Sequence, residues 1–232
     1  MTKAICIIPA RGGSKRIPKK NIKDFFGKPL IAYSIEVAIR SELFDDIYVS
    51  TDDEQIKNIS KKYGAKVINR PKKLADDFTT SVDVIDHAIE YLKEVGLLFN
   101  YICTIYATAP LLQEKYLIQG YQEIIKDNSK LVFSATSMPF PIQRTFKIQN
   151  NRCKMFTPEY IQTRSQDLEE AYQDAGQFYW ENINKEFTDI FFGKDSIPII
   201  LPRYLVQDID TLEDWKHAEI MYKVLKELKD EK

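Results

Sequence analysis

The 232-residue chain is 44% hydrophobic and 29% charged, with 33 Lys and Arg set against 34 Asp and Glu, giving a formal net charge of −1. That balance excludes a chain-wide field able to gather nucleic acid or an anionic membrane, and no apolar run reaches the roughly 20 residues a membrane helix needs. One sizeable domain spanning residues 1–232 is the expectation from length. The opening "MTKAICII" is too short in its apolar part for a secretory signal, so the cytoplasm is the expected compartment. Cys6, Cys103 and Cys153 form no C-x-x-C pair, and two of them lie in apolar runs, which predicts reduced, buried thiols and no metal cage.

In chain order, "AICII" (4–8) reads as a buried strand, and "PLIAYSIEVAIRS" as a helix opened by Pro29. "DIYVST" (46–51) is the next strand. The helix "DDEQIKNISKKYG" follows, with acids in its first turn, lysines in its last and Gly64 as its stop. "AKVINRP" is a third strand, "SVDVIDHAIEYLKEVG" a helix with Ser81 as its N-cap, and "YICTIYA" (101–107) a fourth strand. The helix "EKYLIQGYQEIIKD" and the strand "LVFSAT" (131–136) complete the alternation. Strand–helix alternation at this spacing predicts an α/β fold, a mostly parallel sheet with helices on both faces. After Met138 the pattern breaks. Residues 138–172 hold three prolines and a hairpin, "FKIQNNRCKMF", signalled by its N-N turn, and read as an excursion from the main sheet. "QFYWENI" resumes strand character, and "TLEDWKHAEIMYKVLKELK" is a long closing helix.

The first strand runs straight into "PARGGSKRIPKKN" (9–21), which carries Arg11, Lys15, Arg16, Lys19 and Lys20, two glycines and no acid. The carboxyl edge of a parallel sheet is where such folds hold ligands. Glycines let the backbone approach, and free N–H groups cradle phosphate oxygens. Five neighbouring cations repel one another unless a polyanion offsets them, and a nucleoside triphosphate meets that need. Neither G-x-x-x-x-G-K-[ST] nor G-x-G-x-x-G occurs, which excludes a P-loop NTPase and argues against a dinucleotide oxidoreductase. Near the other end, "DID" sets Asp208 and Asp210 at i and i+2, so both carboxylates of an extended segment can approach one hard cation, Mg²⁺ by its ligand preference. Asp210 with Glu213 reads alternatively as a helix-capping pair.

"IIPARGGSKRIPKKN" resembles the signature of the sugar-acid cytidylyltransferases, which make CMP-activated nonulosonic acids. "VSTDDEQI", "RPKKLADDFTTSVDVI", "ATAPLL" and "DIDTLEDW" agree with that family in order and spacing, over residues 4 to about 220. The resemblance implies a nucleotide-diphospho-sugar transferase fold and transfer of CMP from CTP to an acid sugar with Mg²⁺. Arg11, Lys15 and Lys20 would then hold the triphosphate, with Ala10, Gly12 and Asn21 lining the nucleotide pocket, and Arg70 and Ser81 reading cytosine. Arg11, Lys20, Asp208 and Asp210 would form the catalytic set, with the last two on the metal.

For the sugar the resemblance implies Tyr106, Thr108, Phe191 and Phe192, with Gln177 and Phe178 after the "DAG" turn facing the same pocket. Arg144 and Arg164 would take the sugar carboxylate. Sialic acid members carry Gln at the place of Tyr106 and usually Arg at that of Leu112, which favours a less hydroxylated, more apolar nonulosonic acid. "TIYATAPLL", "PFPIQRTFK" and "YQDAGQFYW" are most similar to the pseudaminic acid branch, whose products serve surface glycans or flagellin. Synthesis of CMP-N-acetylneuraminate or CMP-legionaminate, and a nucleotide-binding regulatory role without chemistry, stay open at this point. The excursion 138–172 resembles the family's β-rich dimerisation segment and implies a homodimer.

Overall fold

A computed structural model describes residues 4–230. Strand β1 (Ala4–Pro9) leads through the basic loop to a short hairpin, β2 (Asp24–Phe25) and β3 (Lys28–Pro29). Then come α1 (Leu30–Arg40), β4 (Asp46–Thr51), α2 (Glu54–Lys62), β5 (Lys66–Asn69), α3 (Ser81–Glu94), β6 (Tyr101–Ile105), α4 (Glu114–Asp127) and β7 (Leu131–Ser137). The excursion contains β8 (Phe146–Gln149) and β9 (Arg152–Met155). The chain returns as β10 (Tyr172–Asn182) and β11 (Ser196–Ile200) and closes with α5 (Leu212–Asp230).

Seven strands form one sheet in the order β11-β7-β10-β6-β1-β4-β5. All neighbours are parallel except β10, which runs antiparallel to both β6 and β7. The chain moves outward from β1 through β4 to β5, then returns to the other flank of β1 as β6. The carboxyl ends of β1 and β6 therefore bound a crevice at the point where the winding reverses, the place where open α/β sheets hold ligands.

Alternation along β1 sorts its side chains: Cys6 and Ile8 face a core built with α1, α2 and α4, whereas Ile5 and Ile7 face α3. Trp180 and Phe178 of β10 lie on the first side. On the second side α3 covers the middle of the sheet through Ile85, Ala88 and Leu92, which leaves Thr104, Tyr179 and Glu181 beyond its flank. Helix α5 packs Trp215 and Ala218 onto Phe25 and Leu30.

Local chemistry differs from expectation at three ends. Pro29 stays extended (ψ 138°) and finishes the β2–β3 hairpin, so α1 begins at Leu30. The N-cap of α3 is Thr80, whose hydroxyl accepts from the Asp83 N–H while the Asp83 carboxylate accepts from the Thr80 N–H, a reciprocal box that leaves Ser81 unused as a cap. Thr211 and Asp214 make the same box at α5, which leaves the Asp210 carboxylate out of the cap. Strand β11 was not expected. It sits at the sheet edge, where Pro198 is tolerated because one side of an edge strand needs no partner.

The excursion is mostly 3-10 turns around the expected hairpin, with Asn150 and Asn151 both at positive φ (52° and 58°) as a tight two-residue turn demands. It exposes Phe140, Ile148, Phe156 and Ile161. Cys6 and Cys103 are buried free thiols, whereas Cys153 on this hairpin is exposed.

Candidate functional site

A cleft of about 300 Å³ opens at the reversal point. Arg11, Lys15, Arg16, Lys20 and Asn21 from the loop after β1 line it, together with Arg70 after β5, Ser81 at the start of α3, Tyr106 and Thr108 after β6, and Asp210. Four of the five loop cations thus converge on one cavity. Lys19 turns away, in a left-handed backbone conformation (φ 53°), and donates to Gln55 at 2.9 Å.

Hydrogen bonds fix the loop from beneath. Asn21 is buried, and its amide donates to the Arg11 carbonyl at 3.0 Å. The Gly12 N–H donates to the Asp52 carboxylate at 3.0 Å, and a Cβ at Gly12 would lie 2.8 Å from the Asp53 Cβ, so only glycine fits against the start of α2. Ala10 is buried in the core and donates its N–H to the Ser50 carbonyl. Neither Ala10 nor Gly12 lines the cleft, a correction to the expected pocket: Ala10 is buried in the core and Gly12 is held against the start of α2.

The loop also meets acids that its own sequence lacks. Asp77 pairs with Arg11 at 2.8 Å and with Lys15, and those two hydrogen bonds hold its carboxyl below the usual range. Arg11 also donates to the Asp76 carbonyl at 2.6 Å. On the opposite wall Asp210 accepts from Arg16 at 2.8 Å and from Lys20 at 3.3 Å, and Lys20 further donates to the Ile209 carbonyl. Besides a polyanion, the protein itself thus offsets these cations: Asp77 and Asp210, far away in sequence, pair with four of the five.

Arg70 is buried and its guanidinium donates to the Ser50 carbonyl at 2.8 Å and to the Ser50 hydroxyl at 3.3 Å. Burial pushes its pKa down to about 10, against the pull of Asp52. It remains charged at neutral pH, is held by Ser50 and lines the cleft.

Asp208 lies outside the cleft lining. Although it is an exposed residue by accessible surface, protein atoms crowd its carboxyl, and that crowding, followed by the charge of Asp210, raises its pKa above the ordinary value. Among the described residues no group of three or more His, Cys, Asp or Glu gathers as a metal cage. Asp208 and Asp210 instead offer two mutually repelling hard oxygen donors. That donor set fits a cation that takes its other ligands from phosphate and water.

A second cavity, of about 420 Å³, adjoins the first and shares Ser81 and Tyr106 with it. The Tyr106 hydroxyl stands 3.3 Å from the Ser81 hydroxyl at this boundary. Phe191 lines the second cavity, and Phe192 packs beside it on Phe133. Four expected sugar residues fall elsewhere. Phe178 is fully buried in the core, and Gln177, also buried, spends its amide on the Leu205 carbonyl. The bulge where Gly176 (φ 61°) leaves the β7 register sets which β10 side chains face the second cavity, and Tyr179 and Glu181 take the places expected of those two. Arg144 bonds the Ser165 hydroxyl and the Thr163 carbonyl, and Arg164 pairs with Asp167 at 2.6 Å, both in the excursion and lining neither cavity.

The family model "Cytidylyltransferase" matches residues 5–197. The chain belongs to the cytidylyltransferase family. It is 49% identical over 225 residues, 96% of this chain and 97% of the relative, to the pseudaminic acid cytidylyltransferase of Campylobacter jejuni subsp. jejuni serotype O:23/36 (strain 81-176). It is 30% identical to the N-acylneuraminate cytidylyltransferase of Escherichia coli O18:K1:H7 (strain RS218 / NMEC), covering 94% of this chain and 51% of that one. Among solved structures, the CMP:2-keto-3-deoxy-manno-octonic acid synthetase complexed with CTP superposes with a TM-score of 0.67 at 15% identity, over 96% of this chain and 99% of that one. A 4-diphosphocytidyl-2C-methyl-D-erythritol synthase gives the same TM-score at 12% identity, with the same coverage of both chains. At those identities the cytidylyltransferase fold is what is shared. No helix among the described residues is long and apolar enough to cross a membrane.

Proposed function

We propose that this enzyme joins CTP to pseudaminic acid, giving CMP-pseudaminic acid and pyrophosphate. The observation that carries this is the near end-to-end match, at 49% identity, to a pseudaminic acid cytidylyltransferase. A cleft lined by four loop cations supports the nucleotide half of the reading. Arg11, Lys15 and Lys20 hold the triphosphate, with Arg11 and Lys15 exchanging Asp77 for phosphate oxygens. Arg70 and Ser81 face the cytosine. The anomeric hydroxyl of the sugar attacks the α-phosphorus and pyrophosphate departs. Lys20, anchored to Ile209 and Asp210, keeps a positive charge where phosphoryl charge develops.

Asp208 and Asp210 are the residues to hold Mg²⁺. When bound, that ion would neutralise phosphate charge and polarise the reacting oxygens. The exposed apolar side chains of the excursion support a homodimer, in which Arg144 or Arg164 of one copy serves the sugar carboxylate in the other. CTP as a substrate puts the work in the cytoplasm.

The test is pyrophosphate release from CTP with pseudaminic, N-acetylneuraminic and legionaminic acids in parallel, with and without Mg²⁺. The expected result is release with pseudaminic acid, abolished by chelation. Release confined to another acid overturns the sugar assignment, and CTP binding without release from any of the three favours a regulatory protein. Sedimentation of the wild type should give twice the monomer mass.

A further inference from the structure

The stretch between β11 and α5 carries Asp208 and Asp210, yet the only regular structure in it is one 3-10 turn, Arg203–Leu205. It buries every fourth side chain: Leu201, Leu205 and Ile209. The carbonyls of those same three residues each accept a bond from a side chain elsewhere in the fold. Leu201 accepts from the Thr136 hydroxyl at 2.8 Å, Leu205 from the Gln177 amide and Ile209 from Lys20. Bonds inside the stretch are local, from the Leu205 N–H to the Pro202 carbonyl and from the Val206 N–H to the Arg203 carbonyl. They set its curvature and not its place on the sheet.

The three anchors differ in kind. Leu201 has a second hold, because its N–H donates to the Ala135 carbonyl of β7 at 2.7 Å. The donor at Ile209 belongs to the cleft itself. Between them stands Gln177, only 2% exposed. Its N–H donates to the Ser134 hydroxyl at 3.1 Å, and its carbonyl accepts from the Tyr106 N–H at 3.0 Å. One residue thus ties together β7, the loop whose Tyr106 and Thr108 line the nucleotide cleft, and the stretch with the two acids. The Gln177 amide oxygen is buried without a hydrogen-bond partner among the described residues, a cost that an apolar side chain of similar length would not carry. What the glutamine adds in return is the bond to Leu205.

Resting on the function and metal ligands proposed above, we infer that Gln177 is a positioning residue for the reaction. It lines neither cavity and acts through the Leu205 carbonyl, setting where Asp208 and Asp210 stand relative to the phosphates. Partners that orient metal ligands from behind in this way typically cost ten- to a hundredfold in metal affinity or turnover when removed.

The experiment compares the wild type with Gln177→Met, Gln177→Asn and Thr136→Val. Methionine keeps the length but has no N–H, and asparagine keeps the amide on a shorter stem. Gln177→Met should lower kcat about tenfold, and should weaken Mn²⁺ binding in the presence of CTP, read by electron paramagnetic resonance, by a similar factor. The KM values for CTP and pseudaminic acid should change little, and Gln177→Asn should fall between. Thr136→Val removes an equally buried bond where the sheet still holds Leu201, so it should lower the melting temperature while kcat and Mn²⁺ affinity stay as in the wild type. A measurement on the wild type needs no variant to fold: the ¹⁵N resonance of the Gln177 side-chain amide should shift when Mg²⁺ joins the CTP complex. Wild-type turnover with unaltered kcat and Mn²⁺ affinity in folded Gln177→Met overturns the role of Gln177 alone, as does an unmoved resonance. Equal losses in Thr136→Val overturn it too, since they would mark general loosening. No wild-type turnover of pseudaminic acid overturns the underlying reading, and the positioning role falls with it.

Discussion

Replacing Gly12 by alanine tests how tightly the basic loop is seated. The new methyl would lie 2.8 Å from both Cβ and Oδ2 of Asp53, about 0.6 Å short of the 3.4 Å at which ordinary contact starts. Asp53 cannot swing aside freely, because its other oxygen accepts from the N–H groups of Gln55 and Ile56 at 2.8 and 2.9 Å and caps α2. Either the cap is lost, at about 1 kcal/mol, or the loop lifts by several tenths of an ångström and takes Arg11 and Lys15 with it. The first route lowers the melting temperature by roughly 2–4 °C for a domain of this size. The second lowers turnover by about tenfold, given that a 1 Å misplacement costs on the order of a hundredfold. Thermal melts and pyrophosphate release should be read in two backgrounds, wild type and Asp53→Gly. Glycine is itself an adequate N-cap and removes the obstructing atoms. Gly12→Ala should be harmful in the first background and close to silent in the second. Equal damage in both would show that the contact with Asp53 is not the cause.

Lys20→Gln, which keeps an N–H donor toward the Ile209 carbonyl but removes the charge proposed to face the phosphates, should change the melting temperature little yet lower turnover by about two to three orders of magnitude. Asp77→Asn frees Arg11 and Lys15, so calorimetry should report tighter CTP binding; weaker binding would mean that Asp77 organises the site and does not compete for it. Asp76 and Asp77 both titrate below the ordinary carboxylate value, so each adds stability that is present above about pH 4 and lost as pH falls through its folded value. Asp77→Asn should accordingly flatten part of the acid limb of stability against pH, as followed by denaturant melts. Gly120→Ala would put a methyl 2.8 Å from the Trp180 ring and 3.0 Å from that of Phe178, and should destabilise by about 1–3 kcal/mol in the same melts.

Much of the sheet could be read from local pattern because its strands are apolar runs between capped helices. The bounds of β4 and α4 coincide with the stretches "DIYVST" and "EKYLIQGYQEIIKD". What escaped is what depends on distant partners. Strand β11 is five residues with a proline inside, and only its place at the sheet edge makes it a strand. Ser81 and Thr80 both qualify as caps by type, and the Asp83 carboxylate, reaching back to Thr80, decides between them. Phe178 and Gln177 were misplaced because the bulge at Gly176 sets which residues of β10 face inward. The acids answering the basic loop lie some 60 and 190 residues away, at Asp77 and Asp210, beyond the reach of any reading of neighbouring charge. Arg11, Lys15, Lys20, Asn21, Arg70, Ser81, Tyr106 and Thr108 do share one cleft, as their place after successive strands implies.

The clasp from Lys20 to Ile209 and Asp210 spans almost the whole polypeptide. A nascent chain can lay down every strand of the large sheet by residue 200 and still lack the segment that receives this lysine. Competence should therefore arrive last during synthesis, because a chain ending before Asp210 lacks both this clasp and the cover that α5 lays over Phe25 and Leu30.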